Sequence, residues 1–248
     1  MAKLSQIKSF LDKELKIKSI KDISRNGLQV KSNKEIKKIG FAVDGSISTF
    51  EKAKKQNIDL LIVHHGIKWK KQKYVELAKR REKFLLKNNI SLYGVHLPLD
   101  AHSKYGNNIE LCKILNLDKT KKFGNYHGVK IGYSGIFKKT TNVNEISKIL
   151  NKQLKTKCNI INFGNKQIKS IAIVSGGGAS ATEEARKFDC FLLGEIDLGS
   201  CNRARDYQLN IIAAGHYATE TLGVKALIPL LKEKFKVETI FLDNPINL

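Results

Sequence analysis

The run Val63-His64-His65-Gly66 follows the apolar stretch Asp59 to Val63, so two adjacent imidazoles stand where a strand should end. Neighbouring residues at a strand exit can face two different ions once Gly66 lets the chain turn, and open α/β sheets gather ligands outside the carboxyl ends of their strands. A second run, Val95-His96-Leu97-Pro98-Leu99-Asp100-Ala101-His102, follows another strand pattern. Pro98 fixes its own backbone and biases Leu97 toward an extended form, which predicts a short rigid loop holding Asp100 at the sheet's edge. Asp100 could instead cap the next helix, although Asn107 and Asn108 are nearer its start. A third run, Ala213-Ala214-Gly215-His216-Tyr217-Ala218-Thr219-Glu220, closes a strand on His216 and places Glu220 four residues later, one helical turn on, so both can point to the same place. Imidazole with carboxylate suits divalent Zn, Mn, Fe, Co or Ni. Glu220, with two oxygens, could bridge two such ions.

Short β-branched or apolar runs alternate with longer amphipathic segments along almost the whole chain, the pattern of an α/β fold. Strands are expected over residues 36–43, 59–64, 91–96, 129–137, 168–174, 190–194, 210–216 and 237–242. Helices are expected over 5–15, 48–57, 73–88, 107–115, 143–154, 181–188, 199–207 and 218–235. The charged, turn-prone K-T-K-K-F-G-N at Lys119 to Asn125 reads as a domain boundary. His216 and Glu220 must return to His64, His65 and Asp100, so the expected arrangement is two α/β domains, the first discontinuous. Residues 1–125 plus 208–248 would form the metal-binding domain, and residues 126–207 an inserted domain capping a cleft at the strand carboxyl ends.

Taken together, the stretches N-G-L-Q-V (Asn26 to Val30), V-H-H-G (Val63 to Gly66), H-L-P-L-D-A-H (His96 to His102), G-N-N (Gly106 to Asn108), L-G-E (Leu193 to Glu195) and G-H-Y-A-T-E (Gly215 to Glu220) span most of the chain in a fixed order. In these the sequence resembles the dinuclear metal-centre family of NIF-three-like proteins, also called GTP cyclohydrolase I type 2. The resemblance implies that His64 and His216 ligate one ion, His65 and Asp100 the other, and that Glu220 bridges. It also implies a ring-shaped homohexamer. Members of that family often carry Thr where this chain has Leu193 and a second His where it has Tyr217, positions that bear on the lining of the site rather than on the five ligands.

At 248 residues, with 42% hydrophobic residues and 3 Pro, the composition is that of a globular protein. Apolar runs such as Leu60 to Val63 are far shorter than the roughly 20 residues of a membrane span, and the Lys-studded N-terminus lacks a secretory h-region, so a cytoplasmic, non-membrane protein is expected. Four scattered cysteines without a C-x-x-C pair argue against a disulfide framework or a structural zinc. The net charge of +22 invites a nucleic-acid partner, but only 6 of the 45 basic residues are Arg, the preferred base-reading and bidentate residue, so a diffusely basic solvated surface is the competing reading.

His96 and His102 are candidates to orient ligands or meet a substrate, His127 reads as a surface residue, and Trp69 as a wall or an anchor. Ser175-Gly176-Gly177-Gly178 reads as a strand-to-helix turn that could also cradle phosphate, although it lacks the Walker lysine. Two divalent ions would suit a metal-dependent hydrolase of a phosphorylated or nucleotide-like substrate, with His96 as proton donor to the leaving group. The alternative is a hexameric binding or scaffold protein with structural metals, engaging nucleic acid through its lysines.

Overall fold

The structure, a computed structural model, describes residues 2–32, 35–71 and 73–246. The chain divides into two compact units, one of Met1–Leu99 with Gly223–Asn244 and one of Asp100–Leu222 with Pro245–Leu248. The first unit opens with α1 (Leu4–Glu14), β1 (Gly27–Val30), β2 (Lys38–Asp44), α2 (Ile47–Lys55) and β3 (Leu60–His65). It continues with α3 (Val75–Lys87), β4 (Ser91–Gly94) and the start of α4 (Leu97–Asp100). The second contains α5 (Asn107–Ile114), β5 (Asp118–Tyr126), β6 (Val129–Thr141), α6 (Val143–Leu154), β7 (Asn159–Ile161) and β8 (Ile168–Val174). After a 3-10 turn over Gly178–Ala181 follow α7 (Thr182–Ala185), β9 (Cys190–Leu193), α8 (Leu198–Asp206) and β10 (Asn210–Ala213). Helix α9 (His216–Phe235) gives its first turns to the second unit and the rest to the first, which β11 (Glu238–Phe241) completes.

The first unit's sheet has the order β1-β4-β3-β2-β11, with β11, β2, β3 and β4 parallel and β1 antiparallel on β4. Its central strands read as apolar runs, Leu60 to Val63 being wholly buried, because helices cover a parallel sheet. Val63, Leu61, Ala42 and Leu92 pack with Phe50 of α2 and Leu85 of α3 in one core. Ser46 starts α2 by accepting from the Thr49 amide at 3.2 Å. The second unit's sheet has the order β5-β6-β8-β9-β10-β7. Alternate residues of β8 and β9 face two cores. Ile171, Ile173 and Leu192 pack with Leu111 of α5 and Ile146 of α6, whereas Ala172, Val174 and Phe191 pack with Ala185 of α7 and Ala204 of α8.

The lysine-rich segment read as a domain boundary is the strand β5, paired antiparallel with β6 at the sheet's edge. An edge strand with one open side tolerates solvated lysines, which is why Lys119, Lys121 and Lys122 sit in it exposed. The limits of the two compact units, 99/100 and 222/223, therefore lie elsewhere than the expected limits at 125 and 208. The 181–188 helix is shorter than expected, four residues after a 3-10 turn. Among the described residues no helix is long and apolar enough to cross a membrane. All four cysteines are thiols.

Candidate metal centre

In the first unit, β3 ends on His64 and His65, whose side chains leave a parallel strand at its carboxyl end. His64 is fully buried, and its Nδ1 lies 3.0 Å from the Val95 carbonyl on the segment leaving β4. His65 stands in register opposite Asp44, the last residue of β2, and its Nδ1 meets Asp44 Oδ1 at 2.8 Å. His96 lies two residues past β4, with Nδ1 at 3.0 Å from Asp22 Oδ1. Asp22 is itself built in, accepting from the amides of Ser24 and Leu97 and from the Asn26 side chain, while Asn26 Oδ1 takes the His96 amide. Burial alone would raise the Asp22 carboxyl, but the His96 hydrogen bond and charge, helped by Asn26 and Ser24, bring it down to about 2. Ligand atoms of His64, His65 and His96 all lie within 4.8 Å of one another.

The turn after His65 is locked by Gln29 of β1. Its Oε1 accepts from the amides of Ile67 and Lys68 at 2.7 and 3.0 Å, and its Nε2 donates to the Arg25 carbonyl at 2.7 Å. The amide fills the room that two glycines leave, since a Cβ on Gly66 would overlap it and one on Gly94 would stand 2.6 Å from Nε2. Trp69 ties the same turn from outside, its indole N–H donating to the Gly66 carbonyl at 3.0 Å and its ring set edge-on to His96 at 5.3 Å.

In the second unit, His216 is the first residue of α9 rather than the last of a strand: β10 stops at Ala213, where its pairing with β9 ends. The expected one-turn spacing holds, with His216 Nε2 at 3.1 Å from Glu220 Oε1. Nδ1 of the same ring meets Glu195 Oε1, from the L-G-E stretch, at 3.1 Å. The Glu220 bond, then its charge and the Glu195 contact, outweigh burial and push the His216 imidazole up to about 9. Asp100 is buried on the one-turn helix α4 rather than in a loop. Its Oδ1 accepts from Asn107 Nδ2 at 2.8 Å and Ser175 Oγ at 3.0 Å. Asn107 and Asn108 thus brace Asp100 and its surroundings, while Gly106 holds the cap position of α5. Ligand atoms of Asp100 and Glu220 lie within 4.8 Å of one another.

Ser175-Gly176-Gly177-Gly178 forms a tight turn against these groups. Gly176 has φ +62°, and a Cβ there would overlap the Glu220 carboxylate and come within 3.0 Å of His216 Nε2.

His64, His65 and His96 share one pattern, whereas His216 faces a carboxylate with each of its nitrogens. A carboxylate or carbonyl on Nδ1 favours the proton there, so that the lone pair sits on Nε2, which is how metal-binding histidines are oriented. The donor set, imidazoles with oxygen-only carboxylates, fits borderline divalent ions. His102 has the opposite polarity: its Nδ1 accepts from the amides of Lys104 and Tyr105 at 3.2 and 3.0 Å, and its ring stacks on Tyr105 at 14°. That places the neutral ring's proton on Nε2 and sets His102 apart from the ligand-type histidines. His127 is exposed in the β5–β6 turn, as expected. The partners Asp22, Asp44 and Glu195 were not read as such from the sequence, although an acid closing a strand beside a histidine strand, as Asp44 does, was a visible signal.

Residues 2–247 match the family described as Duf34/NIF3 (NGG1p interacting factor 3). A Pyrococcus horikoshii protein named GTP cyclohydrolase 1 type 2 homolog is 52% identical over 246 residues, 98% of each chain. Among solved structures, protein ybgI superposes with a TM-score of 0.91 at 31% identity, covering 98% of this chain and 99% of that one. A Thermus thermophilus protein, TTHA1606, superposes with a TM-score of 0.89 at 34% identity, with the same coverage. With its histidine-bearing strand exits, its anchored carboxylates and this whole-length match, the chain belongs to the Duf34/NIF3 family.

Proposed function

We propose that this protein is a metal-dependent hydrolase of a phosphorylated or nucleotide-like substrate, in which His64, His65, Asp100, His216 and Glu220 hold two divalent ions. The observation that carries the reading is that His64, His65 and His96 each have Nδ1 against an oxygen acceptor, which directs three Nε2 atoms to ligation or proton transfer. Such ions supply Lewis acidity and an activated water. Asp44 and Glu195 fix ring orientation, Asn107 and Ser175 fix Asp100, and Gly176 lets the backbone lie against Glu220. His96, on its buried Asp22, is the group we assign to protonate the leaving group, giving the Nε2 proton of its imidazolium form while Asp22 holds Nδ1–H. The name carried by the relatives suggests cyclohydrolase action on GTP, which release of formate from GTP would test.

The deciding experiment pairs metal analysis with a phosphoester and nucleotide screen. We expect about two ions per chain, and loss of both metal and activity in His65→Ala and Glu220→Gln with the fold intact. Activity that persists in a metal-free variant ends the hydrolase reading. Helix α3 favours a second one, a nucleic-acid-binding scaffold, because exposed Lys79, Lys83 and Lys87 recur every fourth residue with Arg80 beside them. Oligonucleotide binding that weakens steeply with salt, and weakens again in Lys83→Glu, supports that reading.

A further inference from the structure

We propose that Arg81, on the sheet-facing side of α3, is an anion anchor that takes the phosphoryl group of the substrate. The assignment rests on the hydrolase reading for the reacting group and deepens it by naming what the substrate must carry. Helix α3 joins the parallel strands β3 and β4, so it runs back from their carboxyl ends, and residues early in it lie toward the exits where His64 and His65 stand. Leu85 of α3 packs in the core with Leu61 and Val63. Arg81 is one turn earlier on the same face, about 6 Å nearer those exits.

Glu82, the next residue, pins this level of the helix to the turn that carries His65. Its Oε1 takes Lys68 Nζ at 2.8 Å, and the Lys68 amide is held by Gln29. Arg81 differs from its cationic neighbours on the helix. Lys79, Arg80 and Lys83 are exposed, whereas Arg81 is half-buried, and among the described residues its Nε is buried without a hydrogen-bond partner. Burial pushes the guanidinium below its ordinary value, with the charge of Asp44 acting the other way. Asp44 already takes His65 Nδ1 at 2.8 Å, so one carboxylate serves both the imidazole and the guanidinium.

A desolvated guanidinium with an unmatched donor destabilises the chain that holds it, and an oxyanion supplied by a ligand removes that penalty. The half-buried side chain stays within reach of a ligand from solution. Its donors form a planar fork that matches two oxygens of a phosphoryl group, and it remains charged at any working pH. Arg81 thus selects phosphorylated over neutral substrates by touching the substrate, whereas the histidines at the strand exits serve the ions.

Calorimetric titration of inorganic phosphate into the full-length chain, with metal content measured alongside, tests this in the wild type, Arg81→Met and Arg81→Lys. We expect Arg81→Met to weaken phosphate binding about 10–100-fold at unchanged metal content. Its thermal midpoint should equal or exceed that of the wild type, because a buried charge with an unmatched donor is gone. Arg81→Lys keeps the charge but not the fork and should recover part of the affinity. The assignment is overturned if the wild type binds no phosphate, if Arg81→Met leaves the affinity unaltered, or if acetate binds as tightly as phosphate. A lowered midpoint with metal lost in Arg81→Met also overturns it, by making Arg81 a structural brace. Phosphoester turnover whose KM is unmoved by Arg81→Met refutes this site and leaves the hydrolase reading intact; Arg81-dependent phosphate binding in a chain that hydrolyses no phosphoester does the reverse.

Discussion

Gln29 and Gly94 compete for one volume, and that competition can be measured. A Cβ on Gly94 would sit 2.6 Å from Gln29 Nε2 and 3.1 Å from its Cδ, with the next neighbour, Gly66 Cα, at 3.4 Å. Gly94→Ala alone therefore overpacks the site, at about 1–3 kcal/mol. Gln29→Ala alone takes the acceptor from the buried Ile67 amide and from the Lys68 amide, at about 1–3 kcal/mol for each donor left unsatisfied. In the double variant the new methyl meets nothing nearer than an ordinary 3.4 Å contact, and Gly→Ala at a compatible backbone then contributes about 0.4–1 kcal/mol through the unfolded chain.

The expected coupling is therefore about 2 kcal/mol in favour of the double variant, within the range for contacting residues. Urea unfolding of the four proteins reads it directly. Additivity within about 0.5 kcal/mol refutes the shared-volume argument. A second readout separates positioning from packing. Because Gln29 holds the turn that carries His65, Gln29→Ala should weaken metal binding about 10–100-fold, as loss of a ligand's supporting partner does.

Two further outcomes follow from the anchors. Glu195→Gln keeps an oxygen near His216 Nδ1 but removes the charge, so metal affinity should fall about tenfold or more with little change in thermal midpoint; unaltered affinity by isothermal titration would show that the contact does not orient the ligand. For Asp22, the folded carboxyl lies at about 2 against an ordinary 3.8, a lowered value. Its contribution is thus present above pH 3.8 and is lost as pH falls through 2, and the shift corresponds to about 2 kcal/mol. The stability gap between wild type and Asp22→Asn should shrink by that amount between pH 5 and pH 2, and a gap constant with pH would contradict the assignment.

Much of the fold was legible because buried parallel strands leave long apolar runs: residues 168–174 coincide with β8, and the 190–194 strand differs from β9 by one residue. The three strands that escaped, β1, β5 and β7, are each hard to read for a physical reason. β1, G-L-Q-V, and β7, N-I-I, hold at most two consecutive apolar residues, so no apolar run marks them. β5 is an edge strand whose lysines mimic a linker. The strand end at His216 was misplaced because apolar Ala214 continues the run beyond Ala213, the last paired residue. Candidate ligands were legible because His-His-Gly and His-x-x-x-Glu are unusual at such positions. Their anchors were not, since Asp22 lies in no regular element and reaches His96 across 74 residues of sequence, which no local periodicity encodes.

That separation explains why short runs so far apart serve one task. Asn26 and Gln29 touch no candidate ion, yet Asn26 holds Asp22 and the His96 amide while Gln29 holds the turn after His65. Loosening either would free an imidazole to rotate about its χ angles, and each immobilised ring would then have to be ordered by the ion at the expense of affinity. A histidine needed only for packing could point either nitrogen inward at little cost. Here three rings are turned the same way by three different acceptors, two of which, Asp22 and Asp44, come from segments with no candidate ligand of their own. Uniform polarity drawn from unrelated elements is what a preorganised cation site requires and what core packing does not.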